Sequence, residues 1–170
     1  GRADGARLEF VGLSTLAGGA PGAQYALNAT AGNVPLAVAF TDTSTGGPGW
    51  WRWDFGDGNT STAQHPTHTY AAPGTYEVTL TAWTIYGEDT YSATVEVLEP
   101  PAAEFTTNTS IGNAPLAVSF TDTSTGNVTA WAWTFGDDTT STEQNPTHTY
   151  TEPGTYTVTL NASNAYGYSL

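Results

Sequence analysis

The sequence contains no cysteine and no lysine, and both absences exclude classes of protein. A chain without cysteine has neither disulfides nor thiolate metal sites, so packing alone must hold its domains together. Three arginines stand against sixteen acidic residues, for a net charge of −13. Binding to nucleic acid or to an anionic membrane is therefore disfavoured, because phosphate groups are bound by basic surfaces. No apolar run approaches the roughly 18 residues of a membrane-spanning segment.

Aromatic residues, threonine, glycine and proline are abundant instead. Six Trp, nine Tyr and six Phe, within a hydrophobic content of 38%, can fill a core. Threonine and aromatic residues favour strands, whereas glycine and proline favour turns. The composition predicts a globular all-β protein, and 170 residues suffice for one large or two small domains.

The sequence repeats itself at an offset of 80 residues, as in "GNVPLAVAFTDTSTG" and "GNAPLAVSFTDTSTG". Between residues 31–90 and 111–170 the match needs no gap, and 37 of 60 positions are identical. The repeat predicts two tandem domains, which we call unit one (residues 24–99) and unit two (residues 100–170). An N-terminal extension, residues 1–23, precedes them.

Within each unit, hydrophobic residues alternate with polar ones over short segments between turns. In "TYEVTLTA", Tyr76, Val78 and Leu80 share one face, and the residues between them share the other. "PLAVAF" and "WRWDF" alternate in the same way, and no segment has the periodicity of a helix. Sheets with one buried face pack in pairs, so each unit is predicted to be an immunoglobulin-like β-sandwich of about 80 residues.

These motifs resemble those of the polycystic-kidney-disease (PKD) repeat family. The first copy carries "WRWDFGDG", "HTY" and "PGTYEVTLT", and the second carries "WAWTFGDD", "HTY" and "PGTYTVTLN". The resemblance covers residues 25–170, and unit two departs at Thr134 and Asp138, where unit one has Asp54 and Gly58. It implies extracellular β-sandwiches of archaeal or bacterial surface proteins, or spacers in secreted enzymes. Such modules contact protein or carbohydrate and are not catalytic.

The two copies differ at their ends. After Gly87, unit one continues with "EDTYSATVEVLEP", whose alternating apolar residues predict a half-buried last strand. After Gly167, unit two has only "YSL". Unit two is therefore expected to lack its own last strand, which exposes core side chains and unpaired backbone groups that can accept another strand. The expected acceptor groove is formed by Tyr156, Val158, Leu160 and Tyr166.

A candidate for a donated strand lies in the N-terminal extension. In "ARLEFVGLS", residues 6–14, the segment "LEFV" has the pattern of "VEVL" in the last strand of unit one. We expect residues 6–14 of one copy to fill the open edge of unit two in another copy, and such head-to-tail contacts propagate into a filament. The alternative is a truncated chain or a proteolytic fragment that has lost its own last strand. The donor interface would comprise Leu8, Glu9, Phe10, Val11 and Leu13.

Two sets of surface residues are candidate modification and ion sites. Five Asn-x-Ser/Thr sequons are candidates for glycosylation: Asn28, Asn59, Asn108, Asn127 and Asn161. Carboxylates that could bind calcium cluster as Asp42, Asp54 and Asp57, and as Asp122, Asp137 and Asp138. The spacing is not that of an EF-hand, and aspartate is also a common turn former that bonds to its own backbone. No other cofactor is expected.

The histidines and the catalytic residue types give no sign of an enzyme. His68 and His148 occupy equivalent positions, and no metal-binding partner except aspartate recurs beside them. We expect structural histidines that bond to a nearby turn. No arrangement of nucleophile, base and orienting group appears, so we expect no catalytic activity.

The tryptophans divide into two groups. Trp51 and Trp53 share a face with Phe55 and recur in unit two as Trp131 and Trp133, so both pairs are predicted to lie in the core. The others, Trp50 and Trp83, do not recur, and they are candidates for contacts with a partner subunit or a glycan.

Together these features predict a structural subunit of an extracellular, archaeal filament or surface sheath that polymerises head-to-tail through strand donation. The alternative, from a different class, is an accessory carbohydrate- or protein-binding tandem module of a larger secreted protein. The expected partners are further copies of the chain, and polysaccharide or other surface proteins.

Overall fold

The structure, a computed structural model, describes residues 19–169. The predicted donor segment, residues 6–14, lies outside the described residues. Within residues 19–169 every helix or strand element is a β-strand, which confirms the all-β prediction. The described part of the chain contains no helix long and apolar enough to cross a membrane.

Unit one contains eight strands in two sheets. The strands are β1 (Tyr25–Leu27), β2 (Ala31–Asn33), β3 (Leu36–Asp42), β4 (Trp50–Asp54), β5 (Thr60–Ser61), β6 (Thr67–Tyr70), β7 (Gly74–Thr84) and β8 (Gly87–Leu98). One sheet has the order β1-β3-β6, and the other has the order β2-β8-β7-β4-β5. Neighbouring strands are antiparallel except β2 and β8, which are parallel.

The alternating apolar residues pack between the two sheets, as predicted. In β7, Val78, Leu80 and Ala82 are fully buried, and the residues between them are more exposed. The rings of Phe40 and Trp53 meet in the core with centroids 5.4 Å apart. Burying each large apolar side chain contributes roughly 1.5–3 kcal/mol, so unit one is held together by its own core.

The last strand of unit one, β8, closes the sandwich. It pairs with β7 along the full length of that strand, from Gly74 to Thr84. Its C-terminal end also pairs with β2. Val95 and Val97 of β8 are buried in the core, with 0% and 2% of their surface exposed.

Unit two repeats the arrangement with seven strands. They are β9 (Phe105–Thr107), β10 (Leu116–Asp122), β11 (Ala130–Thr134), β12 (Thr140–Ser141), β13 (Thr147–Tyr150), β14 (Thr159–Asn164) and β15 (Gly167–Ser169). The sheet orders are β13-β10-β9 and β12-β11-β14-β15. The counterpart of the 12-residue β8 is the 3-residue β15. The sequence predicted that unit two lacks its last strand; within the described residues, the short strand β15 pairs with β14 at the place where that strand begins.

The two departures from the shared turn motif leave the fold unchanged. Asp138 has a φ of 66°, in the left-handed region, where Gly58 has a φ of 89°. Aspartate tolerates this conformation better than most residues that carry a side chain. Thr134 ends β11 as Asp54 ends β4. The turn that follows is therefore retained in both units.

Candidate functional site

Unit two has an open groove where β8 closes unit one. The groove has a volume of about 610 Å³. Its walls include Leu116 and Val118 of β10 on one side and Tyr156 and Val158 on the other, with Ile111 nearby. We call this space the open groove.

Both backbone segments beside the open groove lack the strand structure of their counterparts. Residues 111–113 correspond to β2, and residues 154–158 correspond to the first half of β7, but neither segment is a strand. In unit one the partner of both segments is β8. A backbone without such a partner presents unpaired N–H and C=O groups, and these groups can pair with an incoming strand.

Side chains that β8 covers in unit one are more exposed at the open groove. Val78 is fully buried, whereas its counterpart Val158 is only partly buried. Tyr70 exposes 0% of its surface, and its counterpart Tyr150 exposes 7%. Ile111, at the end of the groove, is 85% exposed. The groove therefore offers apolar surface whose burial would be favourable.

A smaller cavity extends the open groove along the path of β8. It has a volume of about 360 Å³ and is lined by Phe105, Val158 and Leu160, among others. In unit one, Tyr91 of β8 lies at the equivalent place, with its ring 5.0 Å from that of Tyr25. The groove and the cavity together follow the path that β8 takes in unit one.

Three of the four predicted acceptor residues lie at this site. Tyr156 and Val158 line the open groove, and Leu160 lines the cavity. The prediction for Tyr166 is wrong: it lies in the turn between β14 and β15 and is 50% exposed. A turn residue does not follow the two-residue alternation of a strand, so its side chain does not join the strand's inner face.

The aspartates form turns, the alternative to calcium binding. Asp42 accepts a hydrogen bond from the backbone N–H of Ser44, and Asp57 accepts one from that of Asn59, each at 3.0 Å. The same bond to the residue two positions later is made by Asp54, Asp122 and Asp137. In residues 19–169, no group of three or more His, Asp or Glu side chains converges as a metal site would require.

Two of these aspartates also bind Trp51 and Trp131, which are partly buried and pack against the cores. Trp51 Nε1 donates to Asp42, and Trp131 Nε1 donates to Asp122, each at 2.8 Å. Partial burial raises the pKa of each carboxyl, but hydrogen bonds from these and neighbouring donors outweigh it and lower the pKa below its ordinary value of 3.8. The ionised carboxylates thereby connect the turn after β3 or β10 to the opposite sheet.

His68 and His148 are structural, as predicted. Their Nε2 atoms lie 2.7 Å from the carboxylates of Asp57 and Asp137, which belong to the turn after β4 or β11. Each imidazole also stacks on a phenylalanine ring, with centroids 4.3 Å apart in unit one and 4.4 Å apart in unit two.

The tryptophans that do not recur form an aromatic surface on unit one. Trp53 and Trp133 are buried, which confirms that they belong to the cores. Trp50 is 58% exposed and lies directly opposite Trp83 across the β4–β7 pair. The indole N–H of Trp83 donates to Glu88 on β8. Unit two has alanine and serine at the two tryptophan positions.

Four of the five predicted glycosylation asparagines are exposed, and glycosylation itself stays a prediction. The exposed residues are Asn28, Asn59, Asn108 and Asn127, and Asn161 is partly buried in β14. Asn28 and Asn108 accept backbone hydrogen bonds through Oδ1, from Ala39 at 2.8 Å and from Ser119 at 2.9 Å.

The two sandwiches define a protein of tandem immunoglobulin-like domains. The I-band fragment I67–I69 of titin matches with a TM-score of 0.64, over 88% of this chain and 62% of the titin fragment. At 17% identity, this similarity shows the fold alone.

The family model of the PKD domain matches residues 19–98 and again residues 98–170. The chain therefore belongs to the PKD domain family, and the resemblance seen in the sequence is confirmed.

Two relatives of known sequence are proteases of which this chain covers a small part. Collagenase ColA of Bacillus cereus is 53% identical over 47 residues, which are 28% of this chain and 5% of the collagenase. The pre-pro-metalloprotease PrtV of Vibrio cholerae is 41% identical over 71 residues, which are 39% of this chain and 8% of that protein. The chain thus spans less than a tenth of the length of both relatives.

Proposed function

We propose that the chain is a tandem PKD module of a larger extracellular protein, and that it contacts a polymeric partner rather than catalysing a reaction. The family match over both units carries this proposal. The similarity to small parts of a collagenase and a metalloprotease supports an accessory role. The net charge of −13 argues against nucleic acid as the partner.

The outer face of unit one supports carbohydrate as the partner. Trp50 and Trp83 lie side by side on neighbouring strands, and Arg52 and Glu88 belong to the same face of the sheet. Aromatic rings pack on the apolar face of a sugar ring, while a few charged groups bond to its hydroxyls. This combination of side chains is absent from the equivalent strands of unit two.

Loss of the exposed indole tests the carbohydrate contact. Trp50→Ala should weaken binding to insoluble cellulose or chitin about tenfold in a pull-down titration, because the stacking surface is lost. Tyr168→Ala removes an aromatic side chain of unit two that is 71% exposed, and it should bind as the wild type does. If the wild-type protein binds neither polymer, this carbohydrate contact is rejected.

A second candidate function is that of a filament subunit that polymerises by strand donation, and the open groove favours it. Apolar side chains line the groove, and two segments without strand partners border it. Such an edge accepts an extended segment that supplies main-chain hydrogen bonds and alternate apolar side chains. Since β8 fills the equivalent space in unit one, its pairing register indicates which side chains of an incoming strand would face the groove.

The N-terminal extension has the sequence that this register requires. Residues 6–11 read "ARLEFV", and residues 93–98 of β8 read "ATVEVL". In this alignment Leu8 lies opposite Tyr156, and Phe10 follows two positions later on the same face. In the same alignment Glu9, between them, would face solvent, as the aligned Glu96 of β8 does.

Two complementary variants test strand donation. Leu8→Asp/Phe10→Asp should be unable to donate, and Val158→Asp should be unable to accept, because each places a carboxylate in an apolar groove. We expect wild-type filaments in negative-stain electron microscopy and monomers of each variant. An equimolar mixture of the variants should form only dimers. The Val158→Asp chain can still donate a strand and the Leu8→Asp/Phe10→Asp chain can still accept one, but neither chain of the pair can join a further copy. Near-UV circular dichroism checks that Val158→Asp is folded.

Two results contradict the filament. One is a wild-type chain that stays monomeric at high concentration. The other is a longer natural chain in which the segment after Leu170 fills the open groove itself.

A further inference from the structure

We infer that successive copies of the chain meet through the same surfaces that join unit one to unit two. The β7–β8 hairpin of one copy, residues 84–87, would contact residues 111–113 of the copy before it. This inference rests on the strand-donation candidate above and adds a second contact to that polymer.

Within the chain, the β14–β15 hairpin of unit two contacts the end of β2 in unit one. Asn164 Nδ2 donates to Asn33 Oδ1 at 3.0 Å, and Asn33 Nδ2 donates to Asn164 Oδ1 at 3.3 Å. Gly167 of the hairpin lies against the same amide, since a Cβ at this position would be 3.2 Å from Asn33 Nδ2. The contact therefore joins a hairpin turn to the strand that pairs with the end of β8.

The repeat gives each of these surfaces a counterpart that takes no part in the contact between unit one and unit two. Asn113 is the counterpart of Asn33, and Thr84 is the counterpart of Asn164. Both counterparts carry polar side chains that can form a hydrogen bond across an interface.

The apolar residues near Asn113 and Thr84 are larger than their counterparts at the contact between unit one and unit two. Ile111 is 85% exposed and occupies the position of Ala31. Ile85 is 77% exposed and occupies the position of Ala165. Mutual burial of the two isoleucines would be favourable. A contact between separate molecules needs this additional stabilisation, because association costs translational and rotational freedom.

The segment that would connect a donated strand to unit one is long enough for this contact. Val11 precedes Tyr25 by 14 residues, whereas Leu98 precedes Phe105 by 7 residues. Unit one of the donor copy can therefore reach unit two of the acceptor copy. There it can take the same place that unit two takes beside unit one within a single chain.

One end of this connecting segment lies beside the hairpin, and in the proposed polymer the other end would lie beside residues 111–113. Thr84 Oγ1 in the hairpin donates to the carbonyl of Gly19 at 3.2 Å. At its other end, Val11 would occupy the place of Leu98, which pairs with Asn33. In the acceptor copy, that position is beside Asn113.

Cysteine cross-linking tests the contact without background, since the chain has no cysteine of its own. With a short bifunctional thiol reagent, filaments of Thr84→Cys/Asn113→Cys should give a ladder of covalent oligomers. Asn33→Cys/Asn164→Cys is the positive control and should cross-link within one chain. Thr142→Cys/Asn113→Cys uses an exposed threonine after β12 and should give no ladder.

Charge at Ile85 separates this contact from strand donation, because Ile85 belongs to unit one, whereas Ile111 lines the open groove. Ile85→Asp should raise the critical concentration for filaments about tenfold. A synthetic peptide of residues 1–14 should still bind Leu8→Asp/Phe10→Asp chains that carry Ile85→Asp. Unaltered assembly together with no cysteine ladder overturns the contact and leaves strand donation standing. Failure of the peptide to bind the unmodified groove overturns both.

Discussion

Single polar side chains connect the sheets in the same way in both units. The hydroxyl of Tyr70 donates to the carbonyl of Phe55 at 3.1 Å, and that of Tyr150 donates to the carbonyl of Phe135 at 3.0 Å. Buried hydrogen bonds of this kind contribute about 1 kcal/mol each. Because the units share 37 of 60 aligned residues, each provides a matched control for the other.

The His–Asp pairs make the stability of both sandwiches sensitive to acid. Partial burial raises the pKa of Asp57, but hydrogen bonds from Asn59 and His68 outweigh it, so the pKa lies below 3.8. A hydrogen bond from Thr139 is the largest cause of the lowered pKa of Asp137. When the folded pKa is lowered, the stabilisation is complete above the ordinary value and is lost as pH falls through the folded value.

We therefore expect the melting temperature to fall from about pH 5 to about pH 2, and to fall less in Asp57→Asn/Asp137→Asn. Differential scanning calorimetry across this range measures the effect. Asp54→Asn, at an exposed position of β4, is the control and should keep the wild-type slope. An unchanged slope in the double variant would show that other groups cause the acid sensitivity.

Tyr25 has a hydrogen bond that unit two cannot make, because its counterpart is Phe105. The Tyr25 hydroxyl donates to the carbonyl of Val78 at 2.8 Å, and burial raises its pKa from 10.0 to about 12. The resulting stabilisation is complete below pH 10 and is lost as pH rises towards 12.

Tyr25→Phe should lower the free energy of unfolding by about 1 kcal/mol at neutral pH, and the deficit should shrink above about pH 11. Urea denaturation at both pH values provides the measurement. Phe105→Leu changes the equivalent position of unit two without removing a hydroxyl. It is the control, and its effect on the free energy of unfolding should be the same at both pH values. A deficit that is independent of pH would be inconsistent with this role of the hydroxyl.

At the level of elements, β8 determines whether its neighbours are strands. "GTYEV" of β7 and "GTYTV" of unit two differ at one residue. The first segment is a strand paired with β8, and the second, residues 154–158, is not a strand. Strand formation here depends on an available partner more than on local propensity.

Supplying the last strand should therefore order the edge of unit two. The sequence "YSATVEVLEP" appended after Leu170 would continue β15 in the register that β7 and β8 use. We expect the amides of residues 154–158 to gain protection in hydrogen exchange. The melting temperature of unit two should rise, because the two added valines each contribute roughly 1.5–3 kcal/mol when buried.

The matched control is the same extension with both valines replaced by aspartate, which should give neither effect. The complete extension should also prevent binding of the residue 1–14 peptide, because both compete for the open groove. Unchanged exchange at residues 154–158 in the extended chain would contradict the assignment of the groove.

At the scale of the whole molecule, charge opposes association between copies. Each copy carries a net charge of −13. Salt screens this repulsion, since the Debye length falls from about 30 Å at 0.01 M to about 3 Å at 1 M. Apolar contacts in the groove do not depend on unscreened charge. We expect light scattering to show filament assembly at lower protein concentration in about 1 M salt than in about 0.01 M salt. Assembly that weakens with salt would instead indicate attraction between opposite charges.

The local patterns of the sequence predict much of the fold. The first strands begin at Tyr25 and Phe105, at the predicted offset, and Trp53 and Trp133 lie in the cores. Alternation along one strand also predicts that Tyr156 and Val158 share the face that lines the open groove. The opposite wall of the groove could not be found in this way, because it belongs to β10 in the other sheet.

The sequence by itself determined that the chain is two tandem β-sandwiches with matching strands, because repeats and two-residue alternation are properties of contiguous segments. Only the tertiary structure decided that residues 154–158 are not a strand, that both sheets line the open groove, and that Asn164 meets Asn33. Each of these features depends on which distant backbone or side chain comes within bonding distance, and no local pattern encodes that distance.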